Sequence, residues 1–317
     1  MSDHTASVGR LAPSPTGAQH VGNARTYLIA WLLARSRGGK LLLRIEDIDS
    51  PRLKPGAIQQ IYADLRWLGL DWDEEVPYQT ARLARYQEAL ERLQAGELVY
   101  PCTCSRSDIA AAASAPHLEH EGPAYPGTCA SRRAAAARSL EAPFAWRFRL
   151  PAGAGPAFDD LYHGHLAIDL HQAGGDFVVW KSAGTPAYQL AVVVDDAEQG
   201  ITDVVRGDDL IPSTPRQLLL YQALGWQPPG FVHVPLVVGE DGRRLAKRHG
   251  DTRLETLRGH GVKVEDLLGL LAYSCGWLPK AEPIRAVELL PLFRLDTIPR
   301  EPFVLTHVAL KSIGLPN

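Results

Sequence analysis

Short apolar runs and helix-like apolar stripes alternate at the start of the chain. Residues 8–12 form an apolar run that the turn-forming stretch PSPTG ends, which predicts a short buried strand. An apolar stripe over residues 27–34 predicts a helix with Asn23 as its N-cap, ended by Gly38. The run KLLLRIED predicts a second strand. A strand, helix, strand unit favours a parallel sheet in a doubly wound α/β fold.

The same patterns continue through the rest of the chain. Apolar residues at steps of three and four predict helices over residues 58–68 and 83–93, and TPRQLLLYQALGW predicts another. After Arg248 we expect mainly helical segments. Further strands are predicted for FAWRFRL, DFVVWKS, ITDVVRGDDL and VHVPLVV. The run AYQLAVVVDD is apolar enough to predict a strand buried on both faces.

Residues 102–150 differ in composition from their surroundings, because they are rich in Ala, Pro and Gly and contain three cysteines. This change indicates an insertion between two halves of the sheet. We therefore expect four parts. They are the first half of a Rossmann-like catalytic domain (1–100), an inserted subdomain with a metal site (101–185), the second half with a mobile lysine loop (186–250) and a helical C-terminal subdomain (251–317).

Composition narrows the class of protein. The chain has 317 residues, 45% hydrophobic and 22% charged, which is typical of a globular protein. No apolar run approaches the length of a bilayer crossing, and the N-terminus does not have the pattern of a secretory signal, so we expect a cytoplasmic protein. The net charge is 33 minus 36, or -3, so a nucleic-acid partner would have to meet a local basic patch.

Two loops carry residues suited to polyphosphate. His20 and Gly22 stand where a loop feeds the first predicted helix, and helix N-termini attract phosphate through free backbone donors and the helix dipole. The distant stretch GRRLAKRHG follows another predicted strand, so both loops can face one edge of a parallel sheet. A mobile cationic loop there could close over a nucleotide. The alternatives are a capping histidine and a solvated basic hairpin.

Together these loops resemble the paired signatures of class I aminoacyl-tRNA synthetases, HVGN for the His-rich motif and RLAKR for the lysine loop. The stretches GRLAPSPTGAQHVGNAR, LLRIEDID, AYQLAVVVDDAEQGITDVVRGDDL and STPRQLLLYQALG are similar to glutamyl-tRNA synthetases over about residues 8–250. The short length and the Cys-x-Cys pair resemble the short form of that family, the glutamyl-Q tRNA(Asp) synthetases. Arg244 and Ala246 depart from the family's Lys and Ser, which bears on how tightly the loop closes.

The resemblance implies roles for individual residues. The ATP-binding residues it implies are His20, Gly22, Asn23 and Lys247, of which His20 and Lys247 are catalytic. The glutamate-binding residues it implies are Arg10, Leu11, Ala12, Pro13, Ser14, Glu46, Tyr188 and Arg206. A glutamate pocket needs two cations and one anion, and arginine suits a carboxylate because its planar fork binds bidentately. Taken singly, each residue also has an ordinary structural explanation, such as a salt bridge for Glu46.

Cys102, Cys104 and Cys129 point to a metal rather than to disulfides, because three thiolates supply most of a tetrahedral zinc site. On general chemistry the fourth ligand would be His117 or His120, whereas the resemblance implies Tyr125, four residues before Cys129. A closed four-ligand site would make this single Zn²⁺ structural. The alternative is three unligated thiols. Cys275 is expected to be a core residue.

The resemblance implies an enzyme that activates glutamate with ATP and Mg²⁺ and then transfers it to tRNA(Asp), at queuosine in the anticodon. After Lys247 there remain 317 minus 247, or 70 residues, which we expect to be too few for an anticodon-binding domain of roughly 100 residues. We expect a monomer. Two alternatives stay open: a truncated glutamyl-tRNA synthetase that charges a tRNA 3′ end, and a noncatalytic RNA-binding paralogue.

Overall fold

The computed structural model describes residues 6–48, 53–105, 107–109, 124–153, 155–245 and 252–316. The chain forms two compact units, each built from separate stretches of sequence. The first comprises Met1–Tyr78, Ile201–Asp209 and Gly230–Asn317, and the second Gln79–Gly200 and Leu210–Pro229. Within the described residues, no helix combines the length and apolar content that a bilayer crossing requires.

The strands of the described residues are mostly short. In chain order they are β1 (Val8–Leu11), β2 (Lys40–Leu43), β3 (Glu74–Glu75), β4 (Val99–Cys102), β5 (Ala145–Phe148), β6 (Phe158–Asp160), β7 (Gly164–Leu166), β8 (Phe177–Trp180), β9 (Asp203–Gly207), β10 (Gly230–Val234), β11 (Val237–Val238) and β12 (Phe303–Val304).

The α-helices of the described residues lie between and after these strands. They are α1 (Val21–Ser36), α2 (Ala57–Trp67), α3 (Leu83–Ala95), α4 (Tyr188–Glu198), α5 (Ser213–Leu224), α6 (Leu254–Gly259), α7 (Val264–Ser274) and α8 (His307–Ser312). The predicted helices over residues 58–68, 83–93 and 214–226 are thereby confirmed, with small shifts at their ends.

The first unit contains five parallel strands in the order β3-β2-β1-β9-β10. The prediction of a parallel α/β sheet is confirmed, since β1 pairs with β2 and α1 connects them. Leu41, Leu43 and Val204 are fully buried, so the central strands form the core of this unit. The carboxyl ends of parallel strands meet at one edge of a sheet, where α/β folds bind ligands.

Helix α1 begins three residues earlier than the sequence suggests. Its N-cap is His20 and not Asn23, so the predicted N-cap is wrong. Asn23 instead occupies the third helical position, and its side-chain oxygen accepts the His20 backbone N–H at 3.1 Å. The two residues therefore cap the helix reciprocally, which an N-cap rule based on Ser, Thr, Asp and Asn does not anticipate for histidine.

The buried Arg25 of α1 anchors that helix within the first unit. Its Nη1 donates to the Pro235 carbonyl at 2.6 Å, and its Nε and Nη2 donate to the Ser274 hydroxyl and carbonyl at 3.0 and 3.2 Å. Ser274 is the last residue of α7, so the cation lies at the negative end of that helix. Charge and hydrogen bonds together offset the cost of burying a guanidinium.

The second unit contains an antiparallel three-stranded sheet, in the order β4-β5-β8, and the β6–β7 hairpin. Its α3 and α4 are joined by a buried carboxylate: Asp195 accepts from Gln79, Arg82 and the Tyr86 hydroxyl at 2.8–3.0 Å. Residues 110–123, which contain the Ala-rich stretch of the predicted insertion, lie outside the described residues.

The stretch AYQLAVVVDD forms α4, so the predicted strand is wrong. Every residue from Leu190 to Asp196 is buried. A helix that is covered all round shows no apolar stripe, and a short apolar run then looks the same for a buried strand and a buried helix. The strands predicted for DFVVWKS, ITDVVRGDDL and FAWRFRL are confirmed as β8, β9 and β5.

Candidate functional site

His20 lies at the N-terminus of α1, where the sequence predicts a phosphate site. Its ring Nδ1 accepts the backbone N–H groups of Gly22 and Asn23 at 3.1 and 3.4 Å. A nitrogen that accepts hydrogen bonds carries no proton, so the neutral ring has its proton on Nε2. The geometry leaves that N–H free of the helix cap and able to act as a donor.

The surroundings of His20 keep its ring neutral. Burial, together with the smaller effect of the Arg244 positive charge, lowers the pKa of His20 to about 4. Arg244 belongs to the stretch GRRLAKRHG, called the basic loop below, which lies more than two hundred residues after His20 in the sequence. The two predicted loops therefore lie close enough within the first unit for their charges to interact.

Gly22 is required by the packing of this histidine. A Cβ at position 22 would lie 3.0 Å from His20 Cε1 and 3.1 Å from its Nδ1. By contrast, a Cβ on Gly17 in the preceding turn would meet no atom within 4 Å. The glycine at position 22 thus allows the ring to fold back over the helix N-terminus.

The chain that leaves the basic loop pairs with the residues around His20. Val21 N–H donates to the Thr252 carbonyl at 3.0 Å, and Leu254 N–H donates to the Gln19 carbonyl at 2.9 Å. Gln19 is also held by its side chain, which accepts the Tyr27 hydroxyl at 2.6 Å. Sequence reasoning missed Gln19 and Thr252, because main-chain pairing leaves no side-chain signature.

The start of the basic loop is also fixed. Val238 forms an antiparallel bridge with Arg244, and Gly239 N–H donates to the Arg243 carbonyl at 2.9 Å. The exposed Arg244 side chain forms an ion pair with Asp209 at 2.8 Å. Ala246 and Lys247 lie outside the described residues, so their predicted roles are carried by the sequence alone.

Two buried arginines lie at the carboxyl edge of the first-unit sheet. Arg10 on β1 donates from Nη1 to the Val205 carbonyl of β9 at 3.1 Å, and Arg206 is the next residue of β9. Both are almost fully buried. Glu46, beyond the end of β2, accepts from Arg44 at 3.1 Å. The salt-bridge explanation of Glu46 is thus realised, and its carboxylate still lies at the edge predicted for the substrate.

Arg206 has two partners that sequence reasoning missed. Its Nε donates to His233 Nε2 at 3.0 Å, and its guanidinium lies 5.1 Å from the centre of the Phe231 ring. Both partners lie on β10, where His233 is directly opposite Arg206 in the parallel register. The signal was the alternation of Phe231 and His233 in FVHV, which places them on one face of the strand.

The other residues predicted to bind the substrate glutamate are divided between the two units. Leu11 and Pro13 are buried in the first unit, where the Leu11 and Pro13 carbonyls accept from Arg44 and Glu46 N–H groups at 2.9 and 3.0 Å. Ala12 is half-buried, and Ser14 is exposed with its hydroxyl 3.1 Å from that of Thr16. Tyr188 belongs to the second unit, where it is the first residue of α4 and 36% exposed.

The cysteines predicted to bind metal come together in the second unit. The Sγ atoms of Cys102, Cys104 and Cys129 all lie within 4.8 Å of one another, and those of Cys104 and Cys129 are 3.7 Å apart. A tetrahedral zinc ion with bonds of about 2.3 Å to sulfur separates its ligands by roughly 3.8 Å. The donor set therefore fits a metal ion, and the cluster could hold one.

Among the described residues, Tyr125 places an oxygen atom, its hydroxyl, beside these thiols. Its hydroxyl accepts from Cys102 Sγ at 3.4 Å and from the Cys129 backbone N–H at 2.8 Å. The guanidinium of Arg147 lies 3.9 Å from the centre of its ring. His117 and His120, the other candidates for a fourth ligand, lie outside the described residues.

The thiols of Cys104 and Cys129 differ in how readily they ionise. Burial raises the pKa of Cys104 to about 11, assisted by its hydrogen bond with Cys129. Burial also opposes ionisation of Cys129, but hydrogen bonds from the Thr103 backbone and the Tyr125 hydroxyl lower its pKa to about 7. Of these two thiols, Cys129 is the one whose anion the surroundings favour, as a metal ligand requires. Cys275 is fully buried in the first unit, as predicted for a core residue.

Known proteins resemble this chain over most of its length. Residues 7–288 match the family described as tRNA synthetases class I (E and Q), catalytic domain. The Glutamyl-Q tRNA(Asp) synthetase of Symbiobacterium thermophilum is 53% identical, with 93% of this chain and 94% of that protein covered. The Rhodopirellula baltica protein of the same name is 50% identical, with 96% and 95% covered. The crystal structure of glutamate-tRNA synthetase from Elizabethkingia anophelis matches with a TM-score of 0.82 at 27% identity, with 96% of this chain and 69% of that chain covered.

Proposed function

Because this chain belongs to the class I tRNA synthetases of the E and Q group, we propose that it activates glutamate with Mg²⁺-ATP and transfers the glutamyl group to queuosine in the anticodon of tRNA(Asp). The observation that carries the activation step is the pair of buried arginines, Arg10 and Arg206, at the carboxyl edge of the parallel strands. The choice of RNA rests on the two relatives named Glutamyl-Q tRNA(Asp) synthetase.

Glutamate binding follows from charge. The substrate has two carboxylates and one ammonium group, so Arg10 and Arg206 each bind a carboxylate and Glu46 receives the ammonium. Residues 11–14 form one wall of this pocket, and the resemblance assigns Tyr188 as a further substrate contact. The contact of Arg206 with His233 and Phe231 supports this assignment, because it fixes the direction of the guanidinium.

The first step makes a mixed anhydride. A carboxylate oxygen of glutamate attacks the α-phosphorus of ATP, and the bond to the bridging oxygen breaks to release pyrophosphate. The Nε2–H of neutral His20, the positive end of the α1 dipole and the Lys247 ammonium stabilise the charge on the phosphate oxygens. Gly22 and Asn23 contribute by holding the His20 ring with their backbone N–H groups. No side chain forms a covalent bond, so the residues act by positioning and by electrostatics.

In the second step a hydroxyl of queuosine attacks the activated carbonyl carbon. The bond from that carbon to the phosphate oxygen breaks, and AMP leaves while the hydroxyl proton passes to a phosphate oxygen. This reaction also needs no covalent enzyme intermediate.

We propose that the chain acts as a monomer. We also propose that it divides, near residues 100, 185 and 250, into the four parts predicted from the sequence.

We further propose that one Zn²⁺ is held by Cys102, Cys104, Cys129 and Tyr125 and that it stabilises the second unit. The 3.7 Å spacing of two of the sulfur atoms and the Tyr125 hydroxyl beside the third support this set. A closed set of four ligands leaves no position for substrate, so the ion is structural.

The test is to locate labelled glutamate on RNA. The protein is incubated with ATP, labelled glutamate and tRNA(Asp) from normal cells or from cells that cannot make queuosine, and the product is digested to nucleosides. We expect label on queuosine only, and none on tRNA(Glu). Label on the 3′-terminal adenosine would favour a truncated glutamyl-tRNA synthetase. RNA binding without glutamate-dependent exchange of pyrophosphate into ATP would favour the noncatalytic paralogue.

A further inference from the structure

Strand β11 is the element from which the basic loop starts, and it contains only Val237 and Val238. On one side, Val238 pairs with Arg244 across the base of the loop. On the other side, β11 pairs in parallel with β12, a segment more than sixty residues later in the chain. Strand β11 is thus held on both sides within the first unit, by the single bridge to Arg244 and by the pairing with β12.

The contact with β12 consists of specific backbone bonds. Phe303 N–H donates to the Leu236 carbonyl at 2.9 Å, and Leu305 N–H donates to the Val238 carbonyl at 2.8 Å. A two-residue strand has few hydrogen bonds to fix its position, so these two make up a large share of its anchoring. Both donors lie beyond the residues matched to the synthetase family, which end at 288, whereas both acceptors lie within them.

The C-terminal segment is itself firmly attached. Leu305, Leu310 and Ile313 are buried, and the Thr306 hydroxyl caps α8 by accepting Ala309 N–H at 3.1 Å. Phe303 and Leu305 therefore donate from a segment that buried side chains hold in place. The β11–β12 pairing is a link between fixed structure and the start of the basic loop.

Strand β11 also approaches the other half of the phosphate site. A Cβ at Gly22 would lie 3.5 Å from Val237 Cβ, so Val237 is close to the N-terminus of α1. A shift of β11 would accordingly change two things together, the position of Arg244 and the packing beside Gly22. Arg244 in turn lowers the pKa of His20 and forms the ion pair with Asp209.

We propose that β12 is a positioning element for ATP: through β11 it fixes the base of the basic loop, residues 239–245, relative to His20 and the N-terminus of α1. The segment acts on nucleotide binding without touching the nucleotide. The identity of the nucleotide rests on the proposed function, whereas the restraint of the loop base does not.

Two proline variants separate this role from a general effect on folding. Phe303→Pro removes the N–H that donates to Leu236, and the residue before it is already a proline. Val304→Pro is the matched control, because alternate N–H groups along a strand point to opposite sides, so that of Val304 points away from β11. Both variants place one proline in the same short, partly exposed strand.

Three quantities are measured on the full chain: the KM values for ATP and glutamate in pyrophosphate exchange, the rate of tryptic cleavage after Arg243 and Arg244, and the thermal midpoint. For Phe303→Pro we expect the KM for ATP to rise about three- to tenfold, as for loss of one backbone hydrogen bond, with the KM for glutamate unchanged. Loop cleavage should accelerate by a similar factor. Val304→Pro should behave as the parent protein in both assays.

Equal behaviour of the two variants would overturn the proposal, as would a parallel rise of both KM values with a lower thermal midpoint. If the parent shows no glutamate-dependent exchange, the proposed function fails, but the tryptic cleavage still tests the restraint. Should Phe303→Pro not fold, hydrogen exchange of the parent decides. ATP should then slow exchange at residues 236–238 and 303–305 together, and a change confined to one of these segments would contradict the coupling.

Discussion

The predicted phosphate loop of the first unit, residues 13–23, and the cysteine cluster of the second unit are assembled in different ways. Around His20 every hydrogen bond of the cap and of the adjoining pairing involves a main-chain group. The cap joins the His20 and Asn23 side chains to backbone N–H groups, and the residues on either side of His20 pair with the backbone of Thr252 and Leu254. At the cysteine cluster, by contrast, three thiols and one phenol converge within a few ångströms. The first arrangement is complete without a ligand, whereas the second brings together donors that an ion would satisfy.

This difference separates preorganisation from ligand-dependent stability. A site whose groups are already fixed by hydrogen bonds at a helix N-terminus costs little to reorganise when an anion arrives, so its residues act mainly on binding and rate. A metal site contributes its binding free energy to folding. Changes in the first region should therefore alter activity at constant metal content, and changes in the second should alter metal content and stability.

The largest expected effect is on the cysteine cluster. Cys104→Ser should lose the metal and lower the free energy of unfolding of the second unit by several kcal/mol, since structural zinc contributes about 10–16 kcal/mol in zinc-finger peptides. The measurement is metal analysis of purified protein together with thermal unfolding. Cys275→Ala, in the first unit, is the control and should keep one zinc per chain. Stable, active parent protein without stoichiometric zinc would contradict the metal assignment.

The next effect belongs to the basic loop. Lys247→Ala should slow glutamate-dependent pyrophosphate exchange by about a hundredfold or more, because it removes a charge directed at the transition state. Zinc content and the thermal midpoint should stay unchanged. A loss below about threefold would show that Lys247 is not a catalytic residue.

The same exchange assay tests the glutamate pocket. Exchange supported equally by glutamine or aspartate would contradict the roles of Arg10 and Arg206.

A smaller effect is expected in the phosphate loop itself. Gly22→Ala should slow exchange about tenfold, because the added methyl group would displace the His20 ring from its cap, and small misplacements of reacting groups reduce rates strongly. Gly17→Ala is the control in the same loop, with open space around its Cβ. If the two variants have equal rates, the contact between Gly22 and His20 does not matter for the reaction.

The smallest effect concerns α6, which follows the basic loop. Asp64 of α2 is buried, and its Oδ1 accepts from Gln60 at 2.7 Å and lies 3.4 Å from Arg258 of α6. Burial raises the pKa of Asp64 to about 6, against the lowering effect of Gln60 and Arg258. The pKa of Asp64 in the folded protein exceeds its unfolded value near 4. Ionised Asp64 therefore lowers the free energy of unfolding, and this loss grows as the pH rises from 4 to 6.

Asp64→Asn should therefore raise the free energy of unfolding by about 1–2 kcal/mol at pH 7.5 and change it little at pH 4. Urea unfolding at the two pH values measures this. Glu301→Gln, at another exposed position of the first unit, is a suitable control for simple loss of negative charge. Destabilisation of Asp64→Asn at pH 7.5 would mean that the ion pair with Arg258 outweighs the cost of burial.

Local patterns in the sequence determined much of this protein. The strand, helix, strand start, the phosphate loop at a helix N-terminus and the closeness of the three cysteines all follow from residue types at short spacing. They could be predicted because steric preferences of proline and glycine, the apolar period of a helix and the affinity of thiolates for metal act over a few residues or a single turn.

Tertiary structure decided the rest. Burial of Leu190–Asp196 on all sides of α4 removes the apolar stripe that would identify a helix, so the composition of AYQLAVVVDD predicts a strand. His20 is the N-cap because its ring accepts the backbone N–H groups of Gly22 and Asn23. The pairing of Arg206 with His233 and of β12 with β11 joins positions far apart in sequence. Such contacts depend on which surfaces meet once the core has formed, and hydrogen bonds between main-chain atoms are open to almost any residue, so no local pattern reveals them.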